Sequence, residues 1–221
     1  MRANYKLAPS ILAADFARLG AHVAAVAAES DLLHVDIMDG HFVPPITIGP
    51  VVVKAIRRIT DLPLECHLMV TDPLGQTDQF AEAGGTSVIM HVEATDDPRA
   101  VIKRARELGL GVGMAVSPPT SIEEVFPFLE EIDVVNCMTV NPGWAGQDFI
   151  HGVLPKIRRL RDQIEDRMLA VDVSVDGGVN EETGALCIEA GANVLGAATA
   201  IFGRPDPAAA ARTLRALFPR G

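Results

Sequence analysis

The segment LLHVDIMDGHFVP, residues 32–44, places His34 and Asp36 inside a run that otherwise reads as a buried strand. Residues two apart in a strand share one face. A buried carboxylate is costly unless a partner compensates it. Residues of the same kind recur at comparable places: Ser10 near the end of KLAPSIL, His67 in LECHLMV and Asp176 at the end of LAVDVSVD. Two imidazoles and two carboxylates converging on one point make a cation site. The set His34, Asp36, His67 and Asp176 suits one divalent metal: zinc, iron(II), manganese or cobalt(II). Such a cation is the expected partner of Asp36. Parity turns Glu65 and Met69 the same way as His67, so Glu65 lies below the metal, placed to orient a ligand. His91 also ends an apolar run and reads as a hydrogen-bonded structural histidine. Asp39 and His41 follow in a loop and read as solvated or capping residues. Met38, Met69 and Met138 each fall at a strand end, where they form an apolar lid rather than core filler.

A second group of residues suits an anion. VNPGWAGQ carries Gly143 and Gly146, DGGV carries Gly177 and Gly178, and LGAATAIFG carries Ala198 and Thr199. Glycine turns let the backbone approach a phosphate closely, and helix N-termini favour its charge. The expectation is a phosphate among the backbone N–H groups of Gly146, Gly178, Ala198 and Thr199, with Asn180 capping the helix that follows.

These side chains need a scaffold that gathers strand ends. Eight strand candidates alternate with amphipathic segments: KLAPSIL, LLHVDIM, LECHLMV, TSVIMHV, GVGMAV, VVNCMTV, LAVDVSVD and ANVLGAA. Asp72-Pro73 and Asp97-Pro98 pair a helix cap with a proline at the first helical position. Ser121 with Glu124 fits a capping box. Gly84, Gly109 and Gly191 stand where helices stop. The unit recurs roughly every 25–30 residues, which matches an α/β fold of the (β/α)8 TIM-barrel type, whose active sites lie at the C-terminal strand ends. Nothing breaks the chain into parts, so residues 1–221 read as one domain, with an open doubly wound sheet as the fallback.

The 221 residues suffice for one large core, and a hydrophobic content of 48% argues against disorder. No apolar run reaches the length of a membrane span, and MRANYKLAPSILAADF lacks the features of a secretory signal. Cys66, Cys137 and Cys187 are scattered and odd in number, as expected of reduced thiols in a cytoplasmic protein. The net charge of −10 argues against nucleic acid as a partner.

The stretches APSILAADF, LHVDIMDGHFVP, HLMV, MTVNPG, VDGGV and GANVLGAATAIFG closely resemble those of ribulose-phosphate 3-epimerases, and they run through nearly the whole chain. The resemblance implies a metal-dependent barrel that interconverts D-ribulose 5-phosphate and D-xylulose 5-phosphate. It implies His34, Asp36, His67 and Asp176 as metal ligands and Asp36 and Asp176 as the acid–base pair. Ser10 and His67 contact the substrate, Met38, Met69 and Met138 cap it, and the chain is a homo-oligomer. Three places depart from the family pattern. PGWAGQ stands where PGFGGQ is usual, Ala198-Thr199 where Gly-Ser is usual, and Val43-Pro44-Pro45 where VPN is usual. If Ala198 needs a positive φ, it costs roughly 1 kcal/mol or more. LECHLMVT and Ala145 also resemble allulose-6-phosphate 3-epimerase, which acts on a ketohexose phosphate.

The residues fit that chemistry. A proton beside a ketone becomes removable when a metal stabilises the enediolate left behind. Inversion needs a base on one face and an acid on the other, and two carboxylates supply both. No organic cofactor is required. A barrel lyase is a rival, but Lys6, Lys54, Lys103 and Lys156 end no strand candidate, and no Asp-x-Lys pair follows Asp36. A sugar-phosphate sensor, the third reading, has no use for two acid–base aspartates.

Overall fold

Short parallel strands and helices alternate along the computed structural model, which describes residues 4–219. The strands are β1 (Lys6–Pro9), β2 (Leu33–Met38), β3 (Leu64–Met69), β4 (Ser87–His91), β5 (Gly111–Val116), β6 (Val134–Met138), β7 (Asp172–Asp176) and β8 (Val194–Ala197). The α-helices are α1 (Leu19–Val26), α2 (Pro50–Arg57), α3 (Pro73–Glu82), α4 (Pro98–Glu107), α5 (Leu154–Asp166), α6 (Glu181–Glu189), α7 (Thr199–Phe202) and α8 (Pro207–Arg215). All eight strands join one sheet in the order β1-β8-β7-β6-β5-β4-β3-β2. A single parallel bridge between Ser10 and His34 joins its two edges. The result is the expected (β/α)8 barrel, nearly closed.

Parity explains why whole strands are buried. On β2, Leu33, Val35 and Ile37 face outward into the main apolar cluster, as do Leu64, Cys66 and Leu68 on β3. That cluster also holds Val53 and Ile56 of α2 and Phe80 of α3, so the helices cover the sheet. The alternate residues point into the barrel. Ala8, Leu32 and Val194 pack there in one small group, and Ile89, Ala115 and Val134 in another.

Helix starts follow the local signals. Asp72 and Asp97 accept from the amides of Gly75 and Ala100, with Pro73 and Pro98 opening the helices. Asn180 accepts from Glu182 and Thr183 in a full capping box. Gly84, Gly109 and Gly191 end their helices at φ +94°, +74° and +108°. The expected Ser121–Glu124 capping box does not form. Ser121 makes no cap bond, its hydroxyl instead donates to the Glu123 carboxylate, and residues Ile122–Phe128 wind as a 3₁₀ helix. Pro127 lies inside that helix and brings no N–H, which removes an α-helical bond.

The barrel interior is tightest at β5. A methyl added at Gly113 would lie 2.8 Å from the carbonyl oxygen of Val134 and would also strike that valine's side chain. Overpacking of this kind costs ~1–3 kcal/mol. Gly113→Ala should therefore lower the urea midpoint correspondingly with the denaturant slope unchanged. An unaltered midpoint would show that the strands part freely there.

Candidate metal centre and active site

Four inward side chains meet at the C-terminal end of the barrel. His34 and Asp36 come from β2, His67 from β3 and Asp176 from β7, and one donor atom from each lies within 4.8 Å of all the others. His34 Nε2 is 3.2 Å from His67 Nδ1 and 3.3 Å from Asp36 Oδ1, while His67 Nδ1 is 3.1 Å from Asp36 Oδ1. Asp176 Oδ2 stands 3.6 Å from both imidazole nitrogens. Donors placed tetrahedrally at ~2.1 Å from a zinc-like ion are ~3.4 Å apart. The cage therefore fits a divalent cation in size as well as in donor type.

Its charge fits too. The imidazoles are 0% exposed, Asp36 is 3% exposed and Asp176 is 8% exposed. Among the described residues, the ion-pair partners of Asp36, Asp176 and Glu65 are all histidines. Burial opposes a charge on His34, yet Asp36 and Asp176 outweigh it and hold the His34 pKa well above the ordinary histidine range. Burial likewise opposes ionisation of Asp36, but the charge and hydrogen bond of His34, with help from His67, keep its pKa far below the carboxylate range. Such a cluster demands positive charge, which a divalent cation supplies in place of protons.

Surrounding groups fix the orientation of the donors. His34 Nδ1 donates to Glu65 Oε1 at 2.8 Å, the arrangement expected from parity, and this turns Nε2 toward the cluster. Ser10 Oγ donates to Asp36 Oδ2 at 2.5 Å. Thr139 Oγ1 donates to the backbone carbonyls of Asp176 and Gly177, which holds the turn after β7.

Above this floor opens a cavity of about 660 Å³, within the range of small-molecule sites. Asp36 and Asp176 reach it, whereas His34 and His67 lie buried beneath and are not among its lining residues. Met38, Met69 and Met138 line its apolar side, and Met38 and Met69 pack with Val43, Leu12 and Phe42. Gly143, Gly146, Gly177, Gly178, Ala198 and Thr199 line it as well. Gly178 has φ +63°, and an added methyl would lie 3.0 Å from the backbone of Phe149, so glycine is required there. Ala198 has φ −104° and thus carries no left-handed strain.

Two features were not read from the sequence. Arg204 and His151 also line the cavity, and nothing in their local pattern marks them. His91, expected to be a structural histidine, contacts His67 directly, with Nε2 to Nε2 at 2.9 Å. The spacing His91-Val92-Glu93 repeats His34-Val35-Asp36 with glutamate for aspartate, and that was the available signal.

A model of the ribulose-phosphate 3 epimerase family matches residues 6–202. The chain belongs to that family. It is 45% identical over 203 residues to the ribulose-phosphate 3-epimerase of Bacillus subtilis, covering 91% of this chain and 94% of that one. The Synechocystis enzyme of the same name is 43% identical over 218 residues, covering 97% and 95% of the two chains. Among solved structures, a 3-hexulose-6-phosphate synthase superposes with TM-score 0.77 at 24% identity, covering 97% of this chain and 100% of that one. That likeness speaks for the barrel fold alone. Within this epimerase-family barrel, Asp36, Asp176 and the glycine loops face one cavity.

The loops over the site hang on Asp39, which is a capping residue rather than a solvated one. Its carboxylate accepts from the amides of His41 and Phe42 and from both the amide and the hydroxyl of Thr71. Partial burial works against its charge, but these donors hold its pKa at about 2. A depressed folded-state pKa adds stability that is present above the unfolded value and is lost as pH falls through the folded one. Asp39→Asn should cost ~0.5–1.5 kcal/mol near neutral pH. The gap from the parent should close as pH drops from 4 toward about 2. A gap that does not vary with pH would remove the carboxylate from this role.

Proposed function

We propose that this chain is a metal-dependent isomerase that interconverts D-ribulose 5-phosphate and D-xylulose 5-phosphate by inversion at C3. The observation that carries this reading is the pair of cavity-facing carboxylates, Asp36 and Asp176, built into a cation cage within a barrel of this family. His34, Asp36, His67 and Asp176 would hold the metal, and zinc, iron(II), manganese and cobalt(II) all suit the donor set. When bound, the cation supplies positive charge beside the substrate oxygens as the C3 proton leaves.

The chain's own residues do the rest. Asp36 and Asp176 project from β2 and β7, three places apart around the barrel, so they approach the substrate from different sides. One removes the C3 proton to leave the enediolate, and the other returns a proton to the opposite face. Ser10 holds one oxygen of Asp36, leaving the other turned to the cage. The methionines exclude water above the reacting carbon. The amides of Gly146, Gly178, Ala198 and Thr199 hold the phosphate, helped by Arg204 at the rim. Binding at that remote end orients the reacting carbon.

A Schiff-base lyase finds no lysine here. Lys156 Nζ donates to three backbone carbonyls, Lys6 pairs with Asp172, and Lys54 and Lys103 lie on α2 and α4. The remaining properties follow the same reading. No helix of the described residues is long and apolar enough to cross a membrane. Cys66, Cys137 and Cys187 are free and buried, with burial pushing each thiol up to about 12. A reducing cytoplasm suits them. Exposed Ile46 and Val51 offer apolar surface for a homo-oligomer, and residues 1–221 act as one domain, of which 1–3 and 220–221 lie outside the described residues.

Purified protein should epimerise ribulose 5-phosphate and lose that activity to a chelator. Asp36→Asn and Asp176→Asn should each lower kcat by ~10²–10⁴-fold, with metal content measured beside the rate. Near-normal turnover in either variant would remove the two-carboxylate mechanism. Comparison of kcat/KM for ribulose 5-phosphate and allulose 6-phosphate tests the substrate. A preference for the hexulose phosphate of tenfold or more, about 1.4 kcal/mol, would reassign the substrate and keep the chemistry.

A further inference from the structure

We propose that His91 and Glu93 form a hydrogen-bond relay that sets the tautomer of His67 and so leaves its Nδ1 bare for the cation. The proposal rests on the cluster being a metal site and assigns a positioning role to two residues outside it.

The geometry carries the argument. His67 presents Nδ1 to the cluster, 3.1 Å from Asp36 Oδ1, and Nε2 to His91, 2.9 Å from that residue's Nε2. Two ring nitrogens this close need one N–H and one lone pair between them. The other nitrogen of His91, Nδ1, lies 3.1 Å from Glu93 Oε2. A carboxylate only accepts, so the proton of His91 sits on Nδ1. His91 is fully buried, and burial favours the neutral ring with its single N–H. Its Nε2 is therefore bare and accepts from His67 Nε2–H. When a cation takes the place of the proton between His67 Nδ1 and Asp36 Oδ1, a neutral His67 with its proton on Nε2 turns its Nδ1 lone pair toward that cation.

Glu93 is itself fixed. Its Oε1 accepts from the amide of Ser117 at 2.8 Å. The segment after β5 that begins at Ser117 is pinned by Lys156, whose ammonium donates to the carbonyls of Ser117, Pro118 and Thr120 at 2.9, 2.9 and 2.6 Å. Phe42 packs on the His91 ring at a centroid distance of 4.9 Å, and the His67 ring lies at 5.0 Å, so both neighbours hold the ring's plane. A histidine needed only for packing would not require a carboxylate oriented by a separate loop.

The test measures cobalt(II) affinity by competition with a chromophoric chelator, together with the visible spectrum of the cobalt form and the melting of metal-free protein. His91→Leu removes the acceptor. Glu93→Leu leaves His91 Nδ1–H without its carboxylate acceptor, which frees the His91 proton to move to Nε2 and puts the His67 proton onto Nδ1. Both variants should bind cobalt about 10–100-fold more weakly, the usual cost of losing a partner that orients a ligand. His91→Gln keeps an acceptor oxygen near the place of Nε2 and should stay within about threefold of the parent in affinity, with a similar spectrum. Parental affinity in both His91→Leu and Glu93→Leu would overturn the relay and leave the cation site standing. An equal loss in His91→Gln and His91→Leu would also overturn it, because packing rather than acceptor chemistry would then be at work. A parent protein that binds no divalent cation would overturn the relay and the metal site together. If His91→Leu does not fold, Glu93→Leu decides, since the Glu93 side chain is only partly buried, and parental affinity in it overturns the relay.

Discussion

The register of β2 against β3 is the constraint on which the site depends. In that ladder Asp36 lies opposite His67 and His34 opposite Glu65, and these cross-strand neighbours also meet through their side chains, at 3.1 and 2.8 Å. Burying two carboxylates is tolerable only while each has a compensating partner within reach. A slip of one residue would turn all of these side chains outward, into the apolar layer beneath the helices. That layer, built from Leu33, Val35, Ile37, Leu64, Cys66 and Leu68, pins the register from the other face. The apolar core and the charged floor thus select the same alignment. The bridge that closes the barrel, Ser10 to His34, joins two residues of the same network, so closure and site assembly are one event.

Around this floor the barrel separates two tasks. The β2–β3 side gives charge and apolar cover, through Asp36, Met38 and Met69. The β6–β8 side gives glycine-rich loops and, at Gly177 and Gly178, backbone that only glycine adopts comfortably. A substrate with a reactive ketose end and a phosphate end can span the two. The division also protects the chemistry, because a phosphate dianion near the carboxylates would disfavour their charged forms. Asp176 is the one cage residue on the glycine-rich side. Its strand end is held through backbone carbonyls by Thr139, which leaves its carboxylate free of hydroxyl donors among the described residues.

Most of this architecture was legible in the chain because each signal was local and redundant. Strand parity alone placed His34, Asp36, His67 and Glu65 on one face, and the proline and aspartate pairs marked α3 and α4 without reference to the rest of the fold. The failure at Ser121 has the same origin: the capping pattern was present, but Pro127 removed an amide that an α-helix needs. Ala198 shows the opposite case. The family resemblance puts a glycine at that position and raises a positive φ as a condition, yet its backbone lies at negative φ, a property of loop geometry that residue type does not reveal. Arg204 and His151 escaped notice because their relevance arises only from the folding of distant loops onto one cavity. His91 reads as a hydrogen-bonded structural histidine, but a single histidine at a strand end does not disclose that its partner is His67.

The two cage histidines meet one requirement by different routes. Each must keep a particular ring nitrogen bare toward the cluster. His34 lies opposite Glu65 in the ladder, so a carboxylate on the adjacent strand accepts its outer N–H directly. His67 points its outer nitrogen toward β4, where the nearest acceptor is itself an imidazole. An imidazole offers a lone pair only if its own proton is held elsewhere, so a second acceptor becomes necessary, and Glu93 provides it two residues farther along the chain. The direct route keeps a negative charge 2.8 Å from His34, which strengthens that ligand electrostatically. The relayed route places a neutral ring between His67 and the charge of Glu93. The ligation of His34 therefore draws more on charge, and that of His67 more on geometry.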